Sequence, residues 1–334
     1  MDGYSQVNLL IGSSCDMHCP YCLQHDGRSL ADRKADPEEF AEKFAKFLRG
    51  RTVGKVMLWG GEPMLYWKRS RAVYEALHRA GARIGYYVFT TNGRSLTDDY
   101  IEFANSHPDL RTVVSWHGGG FSDDQLERIF RLKTCTLSEI ISHYRLDLWD
   151  FRNWYWELQE RFRKGVIVCA HYLRATDGCG EDWYMTREDV DAFFGHVERD
   201  ILPMAAWGDE WAGRQLSQLL YDRDRRLPQP VGAMCVRPDR LSVDLHGNEY
   251  LCHHDFAATN VIGNVFRGIP IVPEESLRET QKYWKSDRCR KCPEDVRLYC
   301  RGGCYLSKTH DIDCYLAKRR GKTLRLVERE LGKR

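Results

Sequence analysis

The stretch SSCDMHCPYC, residues 13–22, sets Cys15, Cys19 and Cys22 within eight positions. It continues VNLLIGSSC (7–15), which reads as a buried strand running into a loop. The second residue is Asp and no apolar signal-peptide core follows, so nothing marks secretion and disulfides are not expected. Three close thiols therefore read as metal ligands. Three rather than four leave a coordination position open, which separates reactive metal sites from saturated structural ones. The competing reading is a zinc site completed by His18 or another ligand.

Strands and helices alternate outward from this loop. DPEEFAEKFAKFLRG (36–50) predicts a helix, with Asp36 as N-cap, Pro37 in the first turn and Gly50 as the stop. Its Phe40, Phe44, Phe47 and Leu48 share one face. KVMLWGGEP (55–63), RIGYYVFTTNG (83–93) and RTVVSWHGGG (111–120) each read as a strand and a turn, separated by helices at 69–81 and 98–106. This alternation argues a parallel sheet in an α/β domain, whose ligands sit at the carboxyl ends of the strands. The thiols, GGEP, TTNG and SWHGG all fall at such ends and converge on one rim. Residues 121–165, which include WDFRNWYW (149–156), predict helix. VIVCAHYL (166–173) predicts a further strand, with Cys169 as a small buried side chain. A helix at 186–202 opens with a Thr186/Asp189 capping box. The charged, proline-bearing YDRDRRLPQP (221–230) places a domain boundary near 228.

The 334 residues suit about two domains. A net charge of +2 gives no bulk pull toward nucleic acid or an anionic membrane surface. No apolar run approaches the roughly 18–20 residues of a membrane helix, so a cytoplasmic protein without a membrane partner is expected.

The C-x3-C-x2-C loop after a first strand, with the aromatic Tyr21 just before the third Cys, resembles the radical S-adenosylmethionine (radical SAM) superfamily. The resemblance implies a 4Fe-4S cluster on Cys15, Cys19 and Cys22, with SAM on the fourth iron through its amino and carboxylate groups. Reduction then cleaves SAM to a 5′-deoxyadenosyl radical, which takes a hydrogen atom from substrate. GGEP (Gly60, Gly61, Glu62, Pro63) is similar to the family's second-strand motif, where a backbone carbonyl and the Glu hold the SAM ammonium. Asn92 of TTNG and Ser115 of VVSWHGG stand where the family places further SAM contacts. His117 departs from the S-x-D-G common there.

Seven of the thirteen cysteines fall in the last hundred residues. Their pattern, Cys235-x11-Gly247-x4-Cys252 and then Cys289-x2-Cys292-x7-Cys300-x3-Cys304, with Cys314 beyond, resembles the SPASM extension. IGNVFRG (262–268) and YCRGGCY (299–305) support it; the seven-residue gap replaces the usual five. The resemblance implies a partial (β/α)6 TIM-like barrel over residues 1–228 and a Cys-rich domain over 229–334. In the latter, Cys289, Cys292, Cys300 and Cys314 would ligate one auxiliary cluster, and Cys235, Cys252 and Cys304 another. The fourth ligand of the second is open among His246, His253, His254 and Cys179, and zinc knuckles are the competing reading.

The implied function is radical modification of a peptide residue by cross-linking, epimerisation or oxidation. Its cofactors would be three 4Fe-4S clusters and SAM. Its partners would be a reductant such as flavodoxin or ferredoxin and a peptide, with leader recognition by a separate protein or by the aromatic 140–160 segment. His117, Asp209, Glu210 and His246 qualify as bases by type only, so none is assigned. Two further readings stand beside this one: radical modification of a nucleoside, DNA base or its amino-acid adduct, with Arg145 and Arg152 beside stacking aromatics, and a non-catalytic iron–sulfur or zinc protein.

Overall fold

The computed structural model describes residues 3–22, 34–116, 120–164, 167–172, 181–220, 239–253, 260–268, 289, 291–293 and 310–332. Strands and helices alternate in the order β1 (Gly3–Gly12), α1 (Pro37–Phe47), β2 (Thr52–Gly60), α2 (Trp67–Arg79), β3 (Ile84–Thr91), α3 (Asp98–Ser106), β4 (Leu110–Trp116), α4 (Asp123–Arg131), β5 (Cys135–Ile141), α5 (Leu148–Phe162) and β6 (Ile167–Tyr172). Then follow α6 (Arg187–His196), α7 (Leu202–Ala206), α8 (Glu210–Leu220), β7 (Arg240–Asp244), β8 (Asn248–Tyr250), β9 (Gly263–Asn264) and a long helix, His310–Leu331. Two compact units result, residues 1–136 with 235–279, and residues 137–234 with 280–334.

In the first unit the strands run in the order β4-β3-β2-β1-β7-β8-β9. β1 to β4 and β7 are parallel neighbours, and β8 and β9 add antiparallel pairs. β1 is central and buried on both faces, which explains its unbroken apolar reading. Val7, Leu9 and Ile11 fill one face at 0% exposure. The other face begins with amides: Gln6 Nε2 donates to Asn8 Oδ1 at 2.6 Å, and Asn8 Nδ2 to Ser242 Oγ of β7 at 3.1 Å.

The helices form where local chemistry starts and stops them. Asp36 Oδ1 caps α1 by accepting from Glu38 N at 2.9 Å, with Pro37 in the first turn. Phe40 and Phe44 are fully buried and stack at 5.2 Å, a contribution of about 1.5–3 kcal/mol for each buried side chain. Gly50, at φ +78°, turns the chain away. Between α2, β3 and α3, Trp67 meets Phe89, Tyr100 and Phe103 edge-on.

In the second unit, β5 and β6 are neighbours. The expectation of helix across 121–165 needs correction, because β5 lies between α4 and α5. Cys135, Leu137, Ser138, Glu139 and Ile141 are the buried residues of that strand. The Thr186/Asp189 capping box forms as the sequence predicts. The helix it opens passes into one π turn, Val197–Ile201, before α7. Arg319 of the long helix donates from Nη2 to Glu198 Oε2 at 2.9 Å and from Nε to Asp191 Oδ1 at 3.1 Å, tying that helix to α6 and the π turn. The segment around the expected boundary at 228 lies outside the described residues.

Candidate functional site

Because β1 to β4 are parallel, the loops after them leave one edge of the sheet. The loop after β1 carries the three thiols. Its first half is held against the loop after β2: Gly61 N donates to Gly12 O at 3.1 Å and Glu62 N to Ser14 O at 2.8 Å. Ser14 N donates to the Tyr66 hydroxyl at 2.9 Å. A Cβ on Gly61 would stand 2.3 Å from the carbonyl oxygens of Ser13 and Ser14, and one on Gly60 2.4 Å from that of Gly12. Only glycines allow this backbone approach. The glycines of GGEP therefore have a packing reason independent of any ligand.

Glu62 joins the loops after β2 and β3. It is 1% exposed. Oε1 accepts from Met64 N at 2.9 Å and Thr91 Oγ1 at 2.7 Å, and Oε2 accepts from Asn92 N at 2.7 Å. Burial pushes its carboxyl above the ordinary value, against the pull of these three donors. Pro63 opens the short 3-10 turn that Glu62 caps.

Asp16 binds the loop after β1 to the loop after β3. Asn92 Nδ2 donates to Asp16 Oδ1 at 2.6 Å and Ser95 Oγ to Asp16 Oδ2 at 3.0 Å. The Asn92 carbonyl oxygen accepts from Arg94 N at 2.9 Å. No spacing in the sequence points to Asp16, Thr91, Ser95 or Tyr66. Their roles come from hydrogen bonds across 29 to 79 positions of chain.

Cys15, Cys19 and Cys22 are all partly exposed. Cys22 N donates to Cys19 O at 2.9 Å, closing a turn between the second and third thiols. Met17 N points at Cys15 Sγ at 3.4 Å. Burial pushes the Cys15 thiol up to about 11, and the carboxylates of Glu62 and Asp16 add to the effect. Burial also raises Cys19, while a Tyr21 hydrogen bond and the Arg94 cation oppose it. Both shifts favour the protonated thiol, so binding a metal at Cys15 and Cys19 must displace protons. Among the described residues, no three His, Cys, Asp or Glu side chains gather around a single ion. A cubane takes each thiolate on a different iron, so three thiols spread along one loop fit a cluster in donor chemistry. Ser115, half-buried, lies one residue before the end of β4.

Cys252, 2% exposed, follows β8, with His253 Nδ1 4.0 Å from its Sγ. The His253 ring meets Trp59, at the end of β2, edge-on at 5.1 Å. Buried Asp244 shapes the hairpin before it, accepting from His246 N, Asn248 N, Asn248 Nδ2 and the Tyr250 hydroxyl. In the second unit, Cys292 N donates to Cys289 O at 3.1 Å, and Cys314 is the fifth residue of the long helix. Cys235, Cys300, Cys304, Cys179, His117 and His254 lie outside the described residues, as does the side chain of Cys169.

Of the other polar candidates, Asp209 pairs with Arg152 at 2.8 Å and caps α8 through Ala212 N, and Glu210 pairs with Arg214. Arg152 is buried and lies over the Trp156 ring at 3.7 Å. Among the described residues, no helix is long and apolar enough to cross a membrane.

A comparison with curated proteins found no match. Among solved structures, native anSMEcpe with bound AdoMet and Cp18Cys peptide superposes with a TM-score of 0.68 at 15% identity, covering 98% of this chain and 100% of that one. Streptococcus suis SuiB bound to precursor peptide SuiA gives a TM-score of 0.63 at 14% identity, covering 92% of this chain and 73% of that one. At such identities the likeness is one of fold. The loops carrying Cys15, Cys19, Cys22, Glu62, Asn92 and Ser115 all fall within residues 9–143, the segment that matches the Radical SAM superfamily.

Proposed function

We propose that this chain is a radical SAM enzyme that modifies a peptide residue, built as a partial (β/α)6 barrel followed by a Cys-rich SPASM domain. The observation that carries the reading is the interlocking of three loops at one sheet edge, where Glu62 and Asp16 bind the motif loops after β1, β2 and β3 into one frame. In this reading Cys15, Cys19 and Cys22 hold one 4Fe-4S cluster, and SAM is held by Tyr21, Gly60, Gly61, Glu62, Pro63, Asn92 and Ser115. Cluster and SAM, when bound, supply one-electron cleavage to a 5′-deoxyadenosyl radical for hydrogen abstraction. The chain's part is to fix the loops. Glu62 uses three of about four carboxylate acceptor positions on its own backbone and Thr91, leaving one for an ammonium donor.

Cys289, Cys292, Cys300 and Cys314 ligate one auxiliary 4Fe-4S cluster in this proposal, and Cys235, Cys252 and Cys304 a second. A flavodoxin or ferredoxin supplies electrons in the cytoplasm. The peptide reading is supported by neighbours of the same fold whose structures hold peptides. Arg152 favours it over the nucleic-acid reading, because its guanidinium is buried against Trp156 and committed to Asp209.

The test is anaerobic reconstitution, dithionite reduction and chromatography for 5′-deoxyadenosine. The expected result is SAM cleavage by the wild type and none by Cys19→Ala. Iron near 11–12 per chain fits three clusters, one of the auxiliary pair having three cysteine ligands; about four iron, or zinc, refutes the auxiliary pair.

A further inference from the structure

We infer that Asp16 is a positioning residue that sets SAM affinity, without being needed to hold iron; this rests on the radical SAM reading above. Asp16 sits between Cys15 and Met17, and its carboxylate reaches across to the loop after β3, with only a long 4.0 Å contact from Cys15 Sγ to Oδ1 inside its own loop. Asn92 Nδ2 at 2.6 Å and Ser95 Oγ at 3.0 Å take its two oxygens separately. The Asn92 backbone donates in turn to Glu62 Oε2 at 2.7 Å, and Glu62 N donates to Ser14 O at 2.8 Å. A closed circuit results: loop after β1, Asp16, Asn92, Glu62, and back to the loop after β1.

The circuit has a specific consequence. The three thiols come from one short loop, so that loop can gather iron by itself. The SAM-side groups come from the loops after β2 and β3. Asp16 is a point at which the Cys-bearing half of the first loop is tied by side-chain hydrogen bonds to the second of these groups. Without it, the Gly60–Glu62 segment keeps its backbone bonds to Gly12 and Ser14, while the Asn92–Ser95 loop loses its register against the cysteine loop. Asp16 is exposed, so its charge is screened and its effect comes from hydrogen-bond geometry. The Asn92 side chain is oriented by these contacts, one amide hydrogen going to Asp16 and Oδ1 accepting from Arg94 N, which leaves its second amide hydrogen and a lone pair for a ligand. Asp16 thereby fixes the orientation of an Asn that the proposed function assigns to SAM.

The experiment compares iron-reconstituted wild type, Asp16→Ala and Asp16→Asn, with folding checked by circular dichroism. Iron per chain, the SAM dissociation constant by equilibrium dialysis, and the change SAM causes in the electron paramagnetic resonance spectrum of the reduced cluster are measured. Asp16→Ala should keep wild-type iron while SAM binding weakens by about tenfold or more and the spectral change fades, the scale of loss for residues that orient a metal site's ligands. Asp16→Asn keeps an acceptor for Asn92 and offers its amide to Ser95 Oγ, so it should restore SAM affinity to within about threefold. Unchanged SAM affinity in Asp16→Ala overturns the inference. So does loss of iron in step with SAM, or an Asn variant as weak as the Ala variant. Wild-type protein that takes up no iron would refute the radical SAM reading itself, before any variant is compared.

Discussion

Two buried glutamates show how differently one residue type is used. Glu62 has three donors, and its side chain closes the rim. Glu139 is 0% exposed, neither oxygen has a hydrogen-bond partner among the described residues, and Arg145 Nε stands 3.6 Å away. Burial pushes its carboxyl up to about 8, Arg145 opposes this, and Asp150 and Asp147 reinforce it. The folded chain therefore holds this proton more tightly than the unfolded chain does. Stability from this group is full below its ordinary value of 4.5 and is lost as pH rises toward 8. The loss runs at about 1.4 kcal/mol per pH unit across that window. Glu139→Gln should flatten this slope and leave the chain more stable than wild type at pH 8, as urea midpoints at pH 5 and pH 8 will report. A slope unchanged by the substitution rejects the assignment. Glu62 was legible by its motif. Asp16 was not, because a carboxylate beside a cysteine reads as loop until its partners 76 and 79 positions away are known.

Caps and periodicity revealed most elements. Asp36–Pro37 fixed the start of α1, the Thr186/Asp189 pair fixed that of α6, and β1 to β4 appeared where apolar runs meet glycine turns. β5 stayed hidden because Glu139 occupies a buried position on it and breaks the apolar alternation that marks a strand. The π turn left no sequence signal. The glycines of GGEP were legible as a motif, but their packing reason was not, since it depends on Ser13 and Ser14 carbonyls across the sheet edge. This separates two kinds of glycine. Gly50 has φ +78° and open space for 4 Å around the position a methyl would take, so Gly50→Ala should cost about 1 kcal/mol from backbone strain alone. Gly61→Ala drives a methyl into two backbone carbonyls that have no rotamer to relieve the contact. It should cost distinctly more, and thermal melts of the two variants check the order. Equal shifts would mean the loops separate freely.

For the whole molecule, a boundary near 228 divides the motifs by position, yet the first unit's sheet spans it. β7 lies parallel against β1, pairing Gln6 to Leu10 with Arg240 to Asp244. A chain ending at residue 228 should therefore be poorly soluble and give weak amide protection in β1, read by hydrogen exchange. A fragment with protection equal to the full chain would show that β7 is dispensable. The parallel α/β class was legible because each strand came with its crossover helix. The partner of β1 on its far side was not, since no short-range pattern joins residue 8 to residue 242.

That pairing also carries a timetable. On a ribosome, β2 can reach β1 after about fifty residues, but the opposite flank of β1 stays bare until 234 more positions than Asn8 have been made. A nascent chain thus exposes a sticky apolar ribbon for most of its synthesis. The Asn8–Ser242 contact acts as a check on the late arrival: sliding β7 by one residue would set the Asn8 amide against Leu241 or Val243 and strand it. Codon-level pauses, chaperone demand and inclusion-body formation in overexpression should all track this one delayed closure.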